Sequence, residues 1–279
     1  MPRPLDSPRD RFTAIANTRD DEIALDEAAL WIAAEEYPDL DVSAYLARLD
    51  QLAQEAAPRL EGLTSDAERV GRLNRFLFLD EGFSGNRSDY YDPRNSYLND
   101  VLDRRAGIPI TLSLVYIAVG RRLGLHLEGI GFPGHFLVKC RGEGEIIIDP
   151  FLGSTLSLED CQERLESLAG ESVPLQPELH LRSAGAREIL TRMLGNLKQI
   201  FVQRQDWDRA LDCCERTLIL FPDAPQELRD RGLVLEQIDC FHAAASDLDR
   251  FLELAPDDPS APGIRARRQA LEHRLGQLH

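Results

Sequence analysis

The sequence predicts an α+β domain with a helical N-terminal part and an antiparallel sheet, followed by an all-α repeat module. Two observations lead to this prediction. An almost wholly apolar helical segment is followed by three strand patterns, which is typical of a core helix covered by a sheet. Farther along the chain, similar residues recur at a spacing of 34, which is typical of stacked helix pairs. We place the two domains at residues 11–182 and 183–279.

Composition restricts the classes of function. The chain has 279 residues, of which 43% are apolar, enough for a sizeable core. Its formal net charge of -16 repels phosphates and anionic lipid, so we expect a protein or peptide partner and no nucleic acid or membrane. Residues 1–10 are charged and lack a following apolar run, and no segment reaches the roughly 18 apolar residues of a membrane helix. We therefore expect a cytoplasmic protein.

Neither a metal nor another cofactor is expected. The five cysteines are scattered and include no C-x-x-C pair, which argues against a zinc site and a disulfide framework. The histidines show no ligand spacing, and no dinucleotide-binding or phosphate-binding glycine motif is present. We interpret the cysteines as reduced and mostly buried: Cys140, Cys161, Cys213, Cys214 and Cys240.

Helical spacing of apolar residues predicts the N-terminal helices. One helix follows Ile23, a second follows the cap residues Asp41 and Ser43, and a third starts near Ser65. Residues 82–99 are polar and rich in glycine and aromatic residues, without periodicity, and predict an ordered loop. Ordered loops often carry function.

The core helix is predicted to begin at Pro109 and to end before Gly124. Proline suits the first helical turn because its missing N–H has no partner there. Apolar side chains occupy nearly every face of this segment, so the helix should run through the core. Its N-terminus is therefore a buried and partly positive position.

The strand patterns predict a hairpin that brings two polar side chains together. If Cys140 faces Glu145, His135 faces Pro150, and His135 and Asp149 lie near one another, with one residue of slippage allowed. The predicted strands are residues 127–132, 135–140 and 145–149, with a turn at residues 141–144.

A histidine beside an aspartate is used by acyl-transfer sites, where the carboxylate fixes the tautomer of the imidazole. The nucleophile would stand at the N-terminus of the core helix, where backbone N–H groups lower the pKa of a thiol. No cysteine precedes Cys140, and this turn offers the hydroxyls of Thr111 and Ser113 instead. The alternatives are a capping hydroxyl at Thr111, simple packing of Ser113, and a structural polar pair of His135 and Asp149.

Amides, aromatics and arginines are dense in the loop before the core helix and would suit a recognition cleft. The alternative is that these side chains satisfy the backbone of their own loop. The predicted cleft residues are Asn95, Tyr97, Asn99 and Ser113. The loop also contains Asn86, Arg87, Asp89, Tyr90, Tyr91 and Arg94.

In the C-terminal part of the chain, small residues, large residues and prolines recur at the constant spacing of 34 residues. This repeat resembles the tetratricopeptide repeat, which forms a concave surface that usually holds a peptide or another part of the same chain. We predict two helix-turn-helix units and a capping helix over residues 264–278. The matched positions are Trp207, Ala210, Leu220 and Pro222 with Phe241, Ala244, Leu254 and Pro256.

The run NSYLNDVLDRRAGIPITLSLVYIAVGRRLGLHLEGIGFPGHFLVKC, with IIIDPFLG behind it, resembles the bacterial transglutaminase-like family associated with the name SirB. Members of that family join this core to C-terminal tetratricopeptide repeats. The resemblance implies a transglutaminase-like (papain-like) fold, and it implies that His135 and Asp149 match the second and third members of a Cys-His-Asp triad. The expected cysteine falls near residues 109–111, where this chain has none.

We therefore predict a non-catalytic transglutaminase-like protein that acts as a protein-binding or regulatory module through its cleft and its repeats. The alternative is a hydrolase or acyltransferase with Thr111 or Ser113 as nucleophile, His135 as base and Asp149 as the group that orients it. A third possibility, that the repeats dock onto the core and the cleft binds a small ligand, stays open.

Overall fold

The computed structural model confirms an α+β domain followed by an all-α module. It describes residues 7–142 and 144–277, with side chains as far as residue 274. The chain divides into two compact units, Met1–Met193 and Leu194–His279. The division falls inside the helix Ala186–Gln203, which starts shortly after the predicted domain boundary at residues 182–183.

The helices before the core helix are α1 (Pro8–Ala16), α2 (Leu25–Glu36), α3 (Val42–Leu60), α4 (Asp66–Asn74) and α5 (Leu98–Arg104). Asp41 caps α3, because its carboxylate accepts a hydrogen bond of 3.1 Å from the N–H of Ala44. Helix α4 continues into a π-helical turn, Arg75–Asp80. Short 3-10 turns occur at Asp20–Glu22 and Pro93–Asn95.

The segment predicted as a loop over residues 82–99 contains regular structure at both ends. Near the start of the segment, strand β1 (Ser84–Gly85) pairs in parallel with β2 (Ala106–Gly107). Helix α5 begins at Leu98, at the end of the segment. The pairing joins residues about twenty positions apart and involves only backbone groups. A pattern of side chains within one segment therefore cannot reveal it.

Helix α6 (Pro109–Arg122) is the predicted core helix, and its residues from Pro109 through Gly120 are all buried. Proline occupies the first turn, and Arg121 and Arg122 occupy the last turn, where cations interact favourably with the helix dipole. A Cβ atom on Gly120 would overlap the side chain of Leu127, so glycine permits the close approach of α6 to the sheet.

The larger sheet contains β3 (Leu127–Ile130), β4 (Leu137–Arg141), β5 (Glu145–Asp149), β6 (Ser154–Leu156) and β7 (Ser183–Ala184). It is antiparallel and has the order β6-β5-β4-β3-β7. Arg141 faces Glu145 and Cys140 faces Ile146, one residue away from the predicted register and within the slippage allowed. The turn between them includes residue 143, which lies outside the described residues.

Helix α7 (Leu158–Ala169) contributes to the core next to this sheet. Ser157 caps it in a reciprocal arrangement with Asp160, and Gly170 ends it with φ of 73°. A short helix α8 (Pro177–His180) leads into β7. One buried apolar cluster joins α7 to the strands and includes Phe132, Leu137, Ile147, Cys161 and Leu165.

The second unit is helical. Trp207 and Phe241, which match at the repeat spacing, each begin a helix, and the matched Ala210 and Ala244 are fully buried. Helix α13 begins at Ala261, three residues before the predicted capping helix. The helices are α9 (Ala186–Gln203), which contains the division, α10 (Trp207–Leu220), α11 (Pro225–Gln237), α12 (Phe241–Leu254) and α13 (Ala261–Gln277).

A helix that spans a membrane needs roughly 18 or more consecutive apolar residues. Across residues 7–142 and 144–277, none of the helices is both long enough and apolar enough to cross a membrane.

Candidate functional site

The β4–β5 hairpin brings His135 and Asp149 into contact. Nε2 of His135 lies 3.0 Å from each carboxylate oxygen of Asp149. The His135 side chain is 15% exposed and that of Asp149 is fully buried. The other ring nitrogen, Nδ1, has no hydrogen-bond partner among the residues that the structure describes. The carboxylate can therefore fix the tautomer of the ring while Nδ1 stays available.

Asp149 accepts more hydrogen bonds than the one from His135. Its Oδ1 accepts from the backbone N–H groups of Phe151 at 2.9 Å and Leu152 at 3.2 Å, and its Oδ2 accepts from Nη1 of Arg164 at 2.7 Å. Burial by itself raises the pKa of the carboxyl, but His135 and Arg164 outweigh it, and the pKa of Asp149 is lowered. Asp149 is therefore ionised and held in one orientation.

Arg164 is a site residue that sequence reasoning missed. It lies on α7, and its guanidinium neutralises the buried carboxylate. A charged aspartate without this partner would be expensive to bury. An arginine on the polar side of an amphipathic helix looks like an ordinary surface residue, so the sequence contains no signal for this role.

Phe151 connects the His-Asp pair to the loop at residues 82–99. Its ring lies edge-on to the His135 ring at 6.0 Å between centroids and 6.4 Å from the Tyr90 ring. The guanidinium carbon of Arg87 lies 5.7 Å from the centroid of Phe151. A Cβ atom on Gly85 would overlap this ring, so glycine allows the loop to approach it. Phe151 was also missed by the sequence analysis.

Arg192, on α9, fixes the backbone that carries His135. Its Nη2 donates to the carbonyl oxygens of His135 at 2.6 Å and Phe132 at 3.2 Å. Its guanidinium also lies over the ring of Phe136, 5.5 Å from the centroid. Arg192 is partly buried, and this burial lowers the pKa of its guanidinium.

Thr111 lies at the start of α6 and is fully buried. Its Oγ1 donates to the carbonyl oxygen of Asn95 at 2.7 Å and accepts from the N–H of Ile108 at 3.1 Å. This is a capping arrangement at the helix N-terminus. Within the described residues, no hydrogen bond joins Thr111 to His135. Its role as a nucleophile stays a prediction.

The structure places the predicted cleft residues in buried positions. Asn95 holds its own loop together, since its Nδ2 donates to the carbonyl oxygen of Asp89 at 2.7 Å and its Oδ1 accepts from Asn86 at 3.0 Å. The side-chain oxygens of Asn99 and Ser113 have no partner among the described residues. A role of these residues in binding stays a prediction. The four buried residues are Asn95, Tyr97, Asn99 and Ser113.

Cys161 lies on α7, the helix that also carries Arg164. It is fully buried in the apolar cluster under α7, and burial raises its pKa to about 11, although Arg164 opposes the shift. Cys140 is also fully buried, and burial raises its pKa to about 11. Both groups are therefore neutral thiols near pH 7, and a thiol is a poor nucleophile.

A metal ion in a protein is held by several side chains grouped around one point. In the described part of the chain, no three side chains of His, Cys, Asp or Glu are grouped as the ligands of a metal ion would be.

Two family models match this chain. The model described as the transglutaminase-like superfamily matches residues 43–195, and the model described as the tetratricopeptide repeat matches residues 197–269. The chain therefore belongs to the transglutaminase-like superfamily and carries a tetratricopeptide repeat module.

Similar proteins occur in several bacteria. A UPF0162 protein of Xylella fastidiosa (strain 9a5c) is 39% identical over 272 residues, which cover 96% of this chain and 97% of the relative. The UPF0162 protein YchA of Escherichia coli (strain K12) is 33% identical over 88% of this chain and 90% of the relative. Protein SirB1 of Salmonella typhimurium (strain LT2) is 31% identical over the same shares. The resemblance to the SirB-type family is confirmed, and it extends through both units.

Proposed function

We propose that this chain is a non-catalytic transglutaminase-like protein that acts as a protein-binding or regulatory module through its cleft and its repeats. The observation that supports the non-catalytic part is the bonding of Thr111. A nucleophile must pass its proton to a base and reach a substrate. The Thr111 hydroxyl is buried and uses its proton and an acceptor position within the backbone around α6.

A cavity in the second unit supports the binding part. It has a volume of about 540 Å³ and a mainly apolar lining, which includes Val202, Trp207, Leu233 and Val234. This volume lies in the range of ligand pockets. Lys198 also lines it, but its ammonium is neutralised by Glu227 at 2.7 Å and Asp230 at 2.8 Å. Tetratricopeptide repeats generally mediate contacts between proteins, and an apolar cavity of this size suits a side chain of a peptide.

We propose that the protein acts in the cytoplasm. All five cysteines are free, and four of them are buried. Free thiols are typical of a reducing compartment.

The His-Asp pair favours a second candidate, a hydrolase or acyltransferase. His135 has one nitrogen bound to Asp149 and a second nitrogen available to accept a proton, as a general base requires. Thr111 or Ser113 would then have to leave its buried position and approach His135. This movement would break the Thr111 hydrogen bonds to Asn95 and Ile108.

A fluorophosphonate probe, which modifies activated hydroxyl groups, separates the two candidates. We expect equal background labelling of wild type, Thr111→Ala, Ser113→Ala and His135→Ala, measured by mass spectrometry of the intact chain. Thr18→Ala is the matched control, because it removes an exposed threonine hydroxyl that is distant from Thr111 in the sequence. Labelling that is abolished by His135→Ala and by one hydroxyl variant, but not by the control, would overturn the non-catalytic proposal.

A further inference from the structure

Strand β6 forms one edge of the five-stranded sheet, and in the part of the chain that the structure describes it pairs only with β5. Its side chains are exposed at Ser154 and Thr155 and half-buried at Leu156. Alternate residues of an edge strand direct their backbone N–H and C=O groups away from the sheet, where a further strand can bind them. The outer side of β6 is therefore open to another polypeptide.

The opposite edge of the sheet, β7, is protected by a charged group. The carboxylate of Asp20 accepts hydrogen bonds from the N–H groups of Ala186 at 3.1 Å and Arg187 at 2.9 Å, just after the strand. Charged side chains at an edge hinder the addition of another strand. Strand β6 has no such protection in its own segment, because residues 150–158 contain no charged side chain.

Length and neighbours also separate β6 from the smaller sheet. Strands β1 and β2 contain two residues each, and β2 is followed by α6 after a single residue. The ring of Phe151 lies against Gly85 of β1. Among the described strands, β6 therefore combines free backbone groups with uncharged surroundings.

Exposed leucines lie immediately before and after β6. Leu152, two residues before the strand, is 47% exposed, and Leu158, two residues after it, is 52% exposed. Leu79 is 75% exposed and follows Phe78, whose ring lies beside Gly153. A strand added to this edge would cover apolar side chains as well as backbone groups, which is characteristic of recognition by strand addition.

The charges next to this edge are negative. Glu159, Asp160 and Glu163 occupy the first turns of α7, directly after the edge segment, and all three are exposed. No lysine or arginine occurs between Asp149 and Arg164, and Arg164 is itself neutralised by Asp149. Together with the net charge of -16, these carboxylates favour a basic partner.

We propose that β6 is extended by a strand from another protein, namely a segment with aliphatic side chains and a basic end. Its backbone pairs with the outer side of β6, its aliphatic side chains contact Leu152 and Leu158, and its basic end lies beside Glu159 and Glu163. A second copy of this chain fits less well, because it brings the same carboxylates and like charges repel. The predicted cleft and the repeats consist of other residues, so the edge adds a third binding surface to the proposed function.

Fluorescence anisotropy of a labelled peptide, titrated with the full chain, tests the proposal. The probe is acetyl-Thr-Leu-Thr-Leu-Thr-Lys-Lys amide, which has high strand propensity and a basic end. We expect saturable binding that weakens with salt. The same peptide with methyl groups on its backbone nitrogens keeps its side chains but cannot donate to β6, and it should not bind. A peptide with glutamates in place of the lysines should bind about tenfold more weakly.

Substitutions and hydrogen exchange locate the contact on the chain. Leu152→Ala and Leu158→Ala should each weaken binding about fivefold, because each removes apolar surface that the bound strand covers. Both leucines are exposed, so these variants should fold like wild type. Leu254→Ala, at an exposed leucine of the second unit, is the matched control and should leave binding unchanged. The bound peptide should also slow amide exchange at residues 152–158, measured by mass spectrometry.

Any of four results would overturn strand addition at β6: no saturable binding of the peptide, equal binding of its methylated form, unchanged exchange at residues 152–158, or no effect of either leucine variant. Equal binding of the glutamate peptide would overturn the basic partner. Sedimentation velocity tests the remaining occupant. A dimer of the full chain that Thr155→Lys dissociates would show that a second copy occupies the edge, and this result would also overturn the proposal.

Discussion

The start of α6 and the end of the β4–β5 hairpin would supply the two halves of a catalytic centre in the transglutaminase-like superfamily. In this chain they differ in their environments. At the hairpin, His135 and Asp149 keep a geometry that an acid-base pair can use, with one nitrogen of the ring available. At the helix, Thr111 has its proton and an acceptor position occupied by the backbone.

This difference between the helix and the hairpin indicates that a His-Asp pair can keep its geometry because it stabilises the fold. Asp149 is held by two backbone N–H groups and Arg164 as well as by His135. Removal of a thiol from the helix would leave all of these interactions in place. A retained His-Asp pair is therefore weak evidence for catalysis unless a nucleophile is shown beside it.

Asp149→Ala should have the largest effect on stability. It would leave Arg164 without a counter-charge and the N–H groups of Phe151 and Leu152 without an acceptor. We expect a loss of about 3 kcal/mol, as for other buried pairs broken on one side. Urea unfolding followed by circular dichroism measures this loss. Asp39→Ala, at an exposed aspartate, should change stability by less than about 0.5 kcal/mol.

The effect of Asp149 should also depend on pH. Because its pKa is lowered in the folded state, its stabilising contribution is fully present above the unfolded pKa of about 3.9. The contribution is lost as the pH falls through the folded pKa, below that value. The difference in stability between wild type and Asp149→Ala should therefore be constant near neutral pH and narrow in acid. A difference that widens in acid would contradict the ionised state assigned to Asp149.

Thr111→Val should have an intermediate effect. The substitution keeps the shape of the side chain but leaves the N–H of Ile108 and the carbonyl of Asn95 unsatisfied. We expect a loss of about 1 to 3 kcal/mol in the same unfolding measurement. Thr111→Ser keeps the hydroxyl and should lose less. If the valine variant were as stable as wild type, the capping role of Thr111 would be wrong.

Much of the core could be predicted from sequence, because its signals are local. Continuous apolar residues identified α6, and short strand patterns on either side of a glycine-containing turn identified the hairpin. The register was displaced by one residue, since the turn at residues 141–144 allowed more than one pairing. The proximity of His135 and Asp149 survives this displacement because an imidazole spans the difference.

The partners of the pair could not be predicted in the same way. Arg164 reaches Asp149 from a helix that follows the hairpin, and Arg192 reaches His135 from 57 positions away. Such contacts depend on how helices pack and leave no periodic signal in one segment. The short strands β1, β2, β6 and β7 were missed for a related reason, because two or three residues are too few to show alternation.

Alkylation of the exposed Cys240 should have the smallest effect on stability. The same experiment tests whether the buried thiols are unreactive. Cys240 is exposed, whereas the other four cysteines are buried. Iodoacetamide should therefore modify Cys240 in the native chain, and Cys240→Ser should abolish this modification without changing the unfolding midpoint. Peptide mass spectrometry identifies the modified residue. Rapid modification of Cys161 that His135→Ala slows would instead reveal an activated thiol.

Strand β3 acquires its two neighbours at different stages of chain synthesis. Its partner β4 follows within the same hairpin, whereas β7 pairs Ala184 with Gly129 only after a long stretch of chain has been made. Closing that loop costs more entropy than closing the hairpin. A nascent or shortened chain that stops before Ser183 thus exposes the backbone N–H and C=O groups on one side of β3, and such an edge is a site for aggregation with another molecule.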